Sequence, residues 1–249
     1  MDKYRRCLIL LSGGMGTRMC SDIPKQYIEV NGHMIIEYTL KAMLNWKTID
    51  SLVIVAADEW QKKITKMLSE TAFFGAGISK VFFLGFASPG ENRQLSIKNA
   101  LEHIEDKMSD DARIMIHDAA RPLTPEPLLE RMEKAGCETD ADGVMPYLPM
   151  KDTVYESRDG IHISRNLNRN EIFAGQTPEY FDYNKYKAAV DALSESGIMS
   201  VHGSTEPAVA AGMNVVMVPG DETNIKITTP KDMDDFINII KNDRGVYTD

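Results

Sequence analysis

Short apolar runs alternate with amphipathic stretches along most of the chain. The runs are rich in Val, Ile, Phe and Leu and are bounded by Gly, Asp or Ser, a pattern that predicts buried β-strands at Arg6–Leu11, Ser51–Ala57, Lys80–Gly85 and Arg113–His117. Between them, Ile35–Leu44 and Arg93–Ile104 repeat apolar residues with the helical period. Such alternation predicts an α/β fold whose mostly parallel sheet carries helices on both faces. Ligands of these sheets bind in the loops that follow the carboxyl ends of the strands.

The alternation stops after Pro146. The segment Tyr147–Gly175 is polar and irregular, which predicts an arm that leaves the core, with a hairpin around Asp159-Gly160. A solvated loop is the alternative interpretation. Regular structure is predicted to resume with a helix, a strand and a last helix at Tyr186–Leu193, Met213–Val218 and Lys231–Ile240. We therefore expect one domain over residues 1–249 with an arm at about 147–175.

The composition excludes several classes of protein. The chain has 249 residues, of which 43% are hydrophobic and 26% charged, as in globular proteins rather than disordered or fibrous ones. No apolar run reaches the roughly 18 residues of a membrane span. Three scattered cysteines, Cys7, Cys20 and Cys137, fit neither a disulfide framework nor a metal site and predict a cytoplasmic protein.

The charge constrains the ligand. With 28 Lys+Arg against 37 Asp+Glu the formal net charge is −9, and the basic residues form no runs. Binding to nucleic acid or to a membrane surface is therefore not expected. An anionic small ligand would have to be held by a few well-placed cations.

A glycine-rich loop follows the first predicted strand. It reads Leu11-Ser12-Gly13-Gly14-Met15-Gly16-Thr17-Arg18-Met19 and is followed by Pro24-Lys25-Gln26. Backbone N–H groups of such a loop cradle anions. The loop lacks the third glycine of a dinucleotide fingerprint and the Gly-Lys-Ser/Thr of a P-loop. The two nearby cations suit a nucleoside triphosphate, because they would neutralise charge on a transferring phosphoryl group. A glycine turn with surface cations is the alternative.

Five further motifs follow this loop in order along the chain. They are Gly90-Glu-Asn-Arg93-Gln-Leu-Ser96, His117-Asp118-Ala-Ala-Arg121-Pro122, Lys151-Asp152-Thr153, Gln176-Thr177-Pro178 and Asn224-Ile-Lys226-Ile-Thr-Thr-Pro230. Together with the glycine loop they resemble the cytidylyltransferases that act on polyol phosphates, a group that includes the 2-C-methyl-D-erythritol 4-phosphate and ribitol-5-phosphate enzymes. The resemblance covers nearly the whole chain and implies a Rossmann-like nucleotidyltransferase fold.

The resemblance implies roles for residues on the nucleotide side of the site. Arg18, Lys25 and Lys226 match catalytic cations of the family, the first two beside the five-coordinate α-phosphorus of CTP. The matching CTP-binding positions are Ser12, Gly13, Gly14, Gly16, Gly90, Arg93 and Ser96. The family implies Mg²⁺ held mainly by the triphosphate, so that no protein metal ligands are expected. His117 is not assigned a catalytic role, because the attacking phosphate is already anionic and needs no proton abstraction.

On the acceptor side, Asp118 and Arg121 match residues that contact the polyol and its phosphate. Thr153 and Arg169 match arm residues that reach into the neighbouring subunit, which implies a homodimer with arm exchange. Arg165 is an alternative to Arg169, and the spacing to the Gln-Thr-Pro motif favours Arg169.

One segment departs from the family pattern and leaves the acceptor open. Where the family carries a Thr-Asp pair, direct alignment gives His202-Gly203 in this chain. The pair Thr205-Glu206 could take that place only after a shift of about three positions. Thr205 also fits the N-cap of an ordinary helix. The wording of the His117–Pro122 motif makes 2-C-methyl-D-erythritol 4-phosphate the predicted acceptor. Ribitol 5-phosphate is the alternative, favoured by Gly16–Met19 and Gly175–Pro178. Another polyol phosphate is the third possibility, and a nucleotide-binding module without catalysis is the non-enzymatic one.

Overall fold

A mixed β-sheet with helices on both faces organises the chain. The computed structural model describes residues 3–14, 23–70 and 74–242. Within these residues the strands are β1 (Tyr4–Leu11), β2 (Glu29–Val30), β3 (His33–Met34), β4 (Ser51–Val55), β5 (Phe82–Ala87), β6 (Met108–Asp118), β7 (Gly143–Pro149), β8 (Val154–Glu156), β9 (Arg165–Leu167), β10 (Phe173–Gly175), β11 (Glu179–Asp182) and β12 (Val215–Pro219). The α-helices are α1 (Ile35–Met43), α2 (Asp58–Ser69), α3 (Arg93–His103), α4 (Glu126–Glu138), α5 (Tyr183–Asp191), α6 (Glu195–Ser200), α7 (Thr205–Ala210) and α8 (Pro230–Asn242).

The main sheet is largely parallel, as predicted. Its strand order in the described chain is β10-β7-β11-β6-β1-β4-β5, with β12 also paired to β7. The neighbours β6, β1, β4 and β5 run parallel, as do β7 and β12, whereas β10 and β11 run antiparallel to their partners. The α/β prediction is confirmed.

Alternation along β1 explains the two-sided core. Leu8 and Leu10 belong to the apolar cluster on one face of the sheet, and Cys7 and Ile9 belong to the cluster on the other. The register sets Leu11 beside both Val55 and Asp118, so the carboxyl ends of β1, β4 and β6 share one edge of the sheet. This edge positions the loops in which the sequence predicted a ligand site.

No helix in the described part of the chain has the length and apolar character that crossing a bilayer requires.

The arm begins later and ends earlier than the sequence indicated. Residues 147–149 and 173–175 are not irregular: they pair antiparallel as parts of β7 and β10, and the rings of Tyr147 and Phe173 meet edge to face at 4.7 Å. This pairing joins distant segments, so local polarity did not reveal it. The predicted hairpin is confirmed, because β8 and β9 pair antiparallel and Gly160 adopts a φ of +74° in the turn.

Other element boundaries shift by a few residues for identifiable reasons. The predicted helix at Tyr186 begins at Tyr183, because the Asp182 carboxylate accepts from Lys185 N and caps an earlier start. The strand predicted from Lys80 begins at Phe82, since Lys80 closes a 3-10 turn. The strand predicted from Met213 begins at Val215.

Candidate active site

A cavity of about 460 Å³ opens at the carboxyl edge of the parallel strands. Most of the predicted nucleotide-side residues line it, together with the first residues after β6. The lining comprises Leu11, Gly13, Gly14, Lys25, Gln26, Gly90, Glu91, Asn92, Arg93, Ser96, Asp118, Ala119, Ala120, Lys226 and Thr228. Four separated motifs thus meet in one place. The predicted Gly16 and Arg18 lie outside the described residues.

Hydrogen bonds from the Pro24-Lys25-Gln26 segment hold the glycine loop in place. The Gln26 amide donates to the carbonyl oxygens of Ser12 at 2.6 Å and Gly14 at 2.9 Å. The buried Ser12 hydroxyl donates to the Tyr27 hydroxyl at 2.7 Å, and Tyr27 stacks on Trp60. Ser12 was predicted to bind CTP, but in the structure its hydroxyl supports the loop from inside. These contacts hold the loop backbone that faces the cavity.

The Gly90–Ser96 segment forms the opposite wall and the start of α3. The Asn92 side chain caps the helix by accepting from Leu95 N at 2.7 Å, and the Ser96 hydroxyl accepts from Gly90 N at 2.9 Å. A methyl group on Gly90 would lie 2.6 Å from Leu95 Cβ, so the turn requires glycine. The Ser96 hydroxyl also donates to Asn92 O at 2.9 Å and is thus engaged in the turn itself. The first residues of this 11-residue helix line the cavity, where the positive end of the helix dipole favours an anion.

Three cations converge on the Asp118 carboxylate. Lys226 Nζ lies 2.7 Å from Oδ2, Arg93 Nε lies 3.3 Å from Oδ1, and Arg121 Nε lies 3.9 Å from Oδ2. Burial alone would raise the pKa of Asp118, but Arg93, Lys226 and Arg121 outweigh it and hold the pKa well below its usual range. The carboxylate is thus ionised at every physiological pH.

The C-terminal motif is locked to the loop after β6 through Asn224. Arg121 donates to Asn224 O at 2.7 Å, Thr124 donates to Asn224 Oδ1 at 3.1 Å, and the Asn224 amide donates to Thr177 O at 2.8 Å. Arg121 is itself buried behind the cavity, and burial lowers its pKa. This network fixes Lys226, two residues further on, against Asp118.

His117 takes no part in chemistry at the cavity. It is completely buried, its Nε2 lies 3.1 Å from the Thr124 hydroxyl, and burial lowers its pKa to about 3. The imidazole therefore stays neutral, and it does not line the cavity.

Sequence reasoning missed Glu179. This buried carboxylate accepts from the Ser204 and Thr205 hydroxyls, the latter at 2.7 Å, and lies 3.5 Å from Arg93 Nη2. Its only sequence signal is an acidic residue directly after the Gln-Thr-Pro motif, at the start of an apolar strand.

The N-cap interpretation of Thr205 is wrong: Ser204 occupies the N-cap position of α7, and Thr205 is the first helical residue. The Thr205 hydroxyl is directed to Glu179 instead of to the helix backbone.

The predicted arm residues are brought together, but not at this cavity. Thr153 and Arg169 line a second cavity of about 500 Å³ with Asn166, Leu167, Asn168 and Asn170. Arg169 Nη1 donates to Lys151 O at 2.9 Å. The two cavities share no lining residue. The alternative, Arg165, pairs with Glu156 at 2.6 Å within the hairpin.

The glycine loop, the start of α3 and the cations around Asp118 meet at the carboxyl edge of a mostly parallel sheet, an arrangement suited to binding the phosphates of a nucleotide. The family model described as IspD, 2-C-methyl-D-erythritol 4-phosphate cytidylyltransferase, matches residues 6–241. The chain belongs to this family and is a cytidylyltransferase.

Individual relatives agree with this assignment. The chain is 33% identical over 225 residues to the 2-C-methyl-D-erythritol 4-phosphate cytidylyltransferase of Rubrobacter xylanophilus, covering 90% of each chain. It is 34% identical over 228 residues to that of Clostridium perfringens, covering 90% of this chain and 94% of the relative. The predicted family and enzyme class are confirmed.

Solved structures confirm the fold. The 4-diphosphocytidyl-2C-methyl-D-erythritol synthase of Anaerococcus prevotii superimposes with a TM-score of 0.75 at 23% identity, over 96% of this chain and 97% of that one. The Francisella tularensis 2-C-methyl-D-erythritol 4-phosphate cytidylyltransferase gives a TM-score of 0.74 at 24% identity, over 94% of this chain and 99% of that one.

Proposed function

We propose that this enzyme transfers CMP from CTP to the phosphate of 2-C-methyl-D-erythritol 4-phosphate and releases pyrophosphate. An acceptor phosphate oxygen attacks the α-phosphorus, and the bond from that phosphorus to the oxygen bridging to the β-phosphate breaks. The observation that carries the proposal is the gathering of Lys25, Arg93 and Lys226 at one glycine-lined cavity in a chain of net charge −9. The relatives named for this reaction support the choice of acceptor.

The nucleotide occupies the side of the cavity formed by the glycine loop and the start of α3. Gly13, Gly14 and Gly90 line this side of the cavity, and backbone N–H groups of the glycine loop would bind the phosphates. Lys25, with Arg18, stabilises charge that grows on the α-phosphoryl group and on the leaving pyrophosphate. Both substrates are anionic, so the reaction needs positioning and electrostatic stabilisation rather than a covalent nucleophile.

The acceptor occupies the side of the cavity near Asp118. A carboxylate that is fixed by three cations presents its remaining lone pairs to sugar hydroxyls, and it discriminates against analogues that lack them. Lys226 supplies positive charge for the acceptor phosphate from the cavity wall, whereas Arg121, which was predicted to bind that phosphate, does not line the cavity and acts through its contacts with Asp118 and Asn224. Because Thr153 and Arg169 lie in a separate arm cavity of the same chain, their role requires the arm of a second copy. We therefore propose a homodimer with composite sites.

The chain's donor set fits a Mg²⁺ ion held by the triphosphate rather than by a protein cage. Among the described cavity residues the carboxylates are Glu91 and Asp118, and the charge of Asp118 is already compensated by Lys226, Arg93 and Arg121. No group of three or more potential ligands occurs in the described part of the chain. When bound, the ion would neutralise phosphate charge.

The described cysteines, Cys7 and Cys137, are free thiols, which supports the cytoplasmic location that we propose.

Pyrophosphate release from CTP and a panel of polyol phosphates tests the acceptor. We expect kcat/KM with 2-C-methyl-D-erythritol 4-phosphate to exceed that with ribitol 5-phosphate by about 10²-fold or more, because a buried carboxylate rejects a mismatched hydroxyl pattern. UTP in place of CTP is the control for base selection. Preference for ribitol 5-phosphate would replace the proposed acceptor, and no turnover with either would reject both.

Mixing two inactive variants tests the composite site. Arg169→Ala and Lys25→Ala each damage both sites of a homodimer, but a mixed dimer keeps one intact site if the arm acts in trans. Refolding the two variants together at equal amounts is expected to restore about a quarter of wild-type activity, since half of the dimers are mixed and each has one working site. Activity no higher than that of the separate variants would place Arg169 in its own subunit's site or outside catalysis.

A further inference from the structure

Glu179 is a buried acidic residue that the proposed reaction leaves without a role. It begins β11, is 6% exposed, and lies beside Ile116 of β6 in the antiparallel register, two residues before Asp118. It does not line the cavity, so it does not touch substrate. A buried carboxylate at the head of an apolar strand is unfavourable unless it is paired and hydrogen-bonded.

We propose that Glu179 is a positioning residue that clamps the Arg93 guanidinium against Asp118 and thereby sets the acceptor-binding carboxylate. The inference rests on the acceptor side of the proposed function. Glu179 acts from behind the cavity, through Arg93, and makes no contact with either substrate.

The geometry of Arg93 carries the proposal. Its Nε lies 3.3 Å from Asp118 Oδ1, its Nη2 lies 3.5 Å from Glu179 Oε2, and its Nη1 donates to the Ser204 hydroxyl. Each of the three guanidinium nitrogens therefore has a partner, and two of these partners, Glu179 and Ser204, do not line the cavity. Because the guanidinium is planar and rigid, fixing the far nitrogens fixes the direction of Nε toward Asp118. Burial lowers the pKa of Arg93, but the two carboxylates outweigh it and the net shift is upward.

The hydroxyls at the start of α7 complete the clamp. Ser204 donates to Glu179 Oε2, and Thr205 donates to Glu179 Oε1 at 2.7 Å. Both carboxylate oxygens are thus held by the segment that departs from the family pattern. The departure at 200–207 therefore serves to orient Glu179, and its hydroxyls are not directed at substrate.

Steady-state kinetics of Glu179→Gln tests the proposal, since this change keeps the side-chain size and removes the charge. We expect the KM for the polyol phosphate to rise about 10-fold to 100-fold, the range for losing a hydrogen bond to a charged group. The KM for CTP should rise by a smaller factor, because Arg93 meets the acceptor-side Asp118 through Nε. Glu179→Asp should recover part of the loss. Thr205→Val should raise the same KM by a smaller factor.

Glu133→Gln is the matched control. Glu133 is also a partly buried carboxylate: it accepts from Trp46 Nε1 at 3.2 Å and from the Thr48 hydroxyl, and it lies 4.0 Å from Arg6 Nε, but it lines no part of the cavity. We expect any effect of Glu133→Gln to be on stability, with both KM values unchanged. A merely structural role for Glu179 predicts the same behaviour for Glu179→Gln and would overturn the proposal.

Two readouts separate this inference from the proposed function. If the wild-type enzyme is active and Glu179→Gln leaves the KM for the polyol phosphate unchanged, the clamp is overturned while the proposed function stands. A crystal structure of Glu179→Gln does not depend on turnover: the Arg93–Asp118 contact should be broken, and its survival would reject the clamp. If Glu179→Gln does not fold, the double variant Ser204→Ala/Thr205→Val is measured in its place. We expect it to raise the KM for the polyol phosphate in the same way. An unchanged KM would overturn the proposal.

Discussion

Replacing Lys25 by alanine is expected to lower kcat by about 10²-fold to 10³-fold, the cost of removing one group that stabilises charge in a transition state. Lys25 lines the cavity directly beneath the glycine loop. The effect should fall mainly on kcat, because the charge that Lys25 meets grows as pyrophosphate leaves. CTP affinity, measured by titration calorimetry, should weaken less.

The local backbone explains why Lys25 is suited to this role. Extended Pro24 precedes it, and residues 25–27 form a single 3-10 turn. Its neighbours Gln26 and Tyr27 are both buried and bonded to the loop at Ser12. The ammonium group is thus carried by a rigid support, which reduces the reorganisation needed during the reaction.

Lys63→Ala provides the comparison for Lys25→Ala. Lys63 is a surface cation paired with Glu29 at 2.8 Å and does not line the cavity. Its loss should leave kcat within about twofold, because exposed pairs contribute little. If Lys25→Ala retained turnover within about tenfold of wild type, the transition-state role assigned to Lys25 would be wrong.

The central sheet was predictable because its signal is local. Ser51–Val55 is buried at every position and reads as a continuous apolar run, so its strand character follows from the sequence. The pairing of Phe173–Gly175 with Tyr147–Pro149 was not predictable, because it joins three-residue stretches about 25 residues apart that are too short for a periodic signal. β11 was missed for a related reason: four residues are too few for a periodic signal.

The candidate site was predictable where a motif directly follows a strand. The structure brings Gly13, Gly90, Asp118 and Lys226 to one cavity, as expected from ordered motifs at a shared sheet edge. What the sequence did not reveal is the direction of each side chain. Ser12 and Ser96 were predicted to bind CTP, whereas in the structure the Ser12 hydroxyl donates to the Tyr27 hydroxyl and the Ser96 hydroxyl bonds to backbone of its own turn. Such choices depend on neighbours that are distant in sequence.

Replacing Asp118 by asparagine is expected to reduce both stability and activity. The change removes the negative charge that compensates Lys226, Arg93 and Arg121 and leaves the three cations facing one another. Removing one partner of a buried ion pair typically costs about 3–5 kcal/mol of unfolding free energy. Activity should fall at least about 10²-fold, because the acceptor loses its carboxylate and the cations lose their positions.

The pH dependence of this loss follows from the lowered pKa of Asp118. The unfolded carboxyl titrates near its ordinary pKa of about 3.9, and the folded one well below it. Its contribution to stability is therefore complete above about pH 4 and declines only as the pH falls further toward the folded-state pKa. Urea titrations should thus show a constant difference between wild type and Asp118→Asn from about pH 5 to 8, and a smaller one below pH 4.

A double-mutant cycle with Arg93→Gln identifies the cause of that difference. Once Arg93 is neutral, Asp118→Asn leaves one fewer uncompensated cation, so its cost should shrink by about 1–3 kcal/mol. Asp111→Asn is the control: its exposed pair with Arg5 should contribute nothing measurable, with or without Arg93→Gln. Additive costs for Asp118→Asn and Arg93→Gln would show that Arg93 is not coupled to the carboxylate, which would then be held by its other partners.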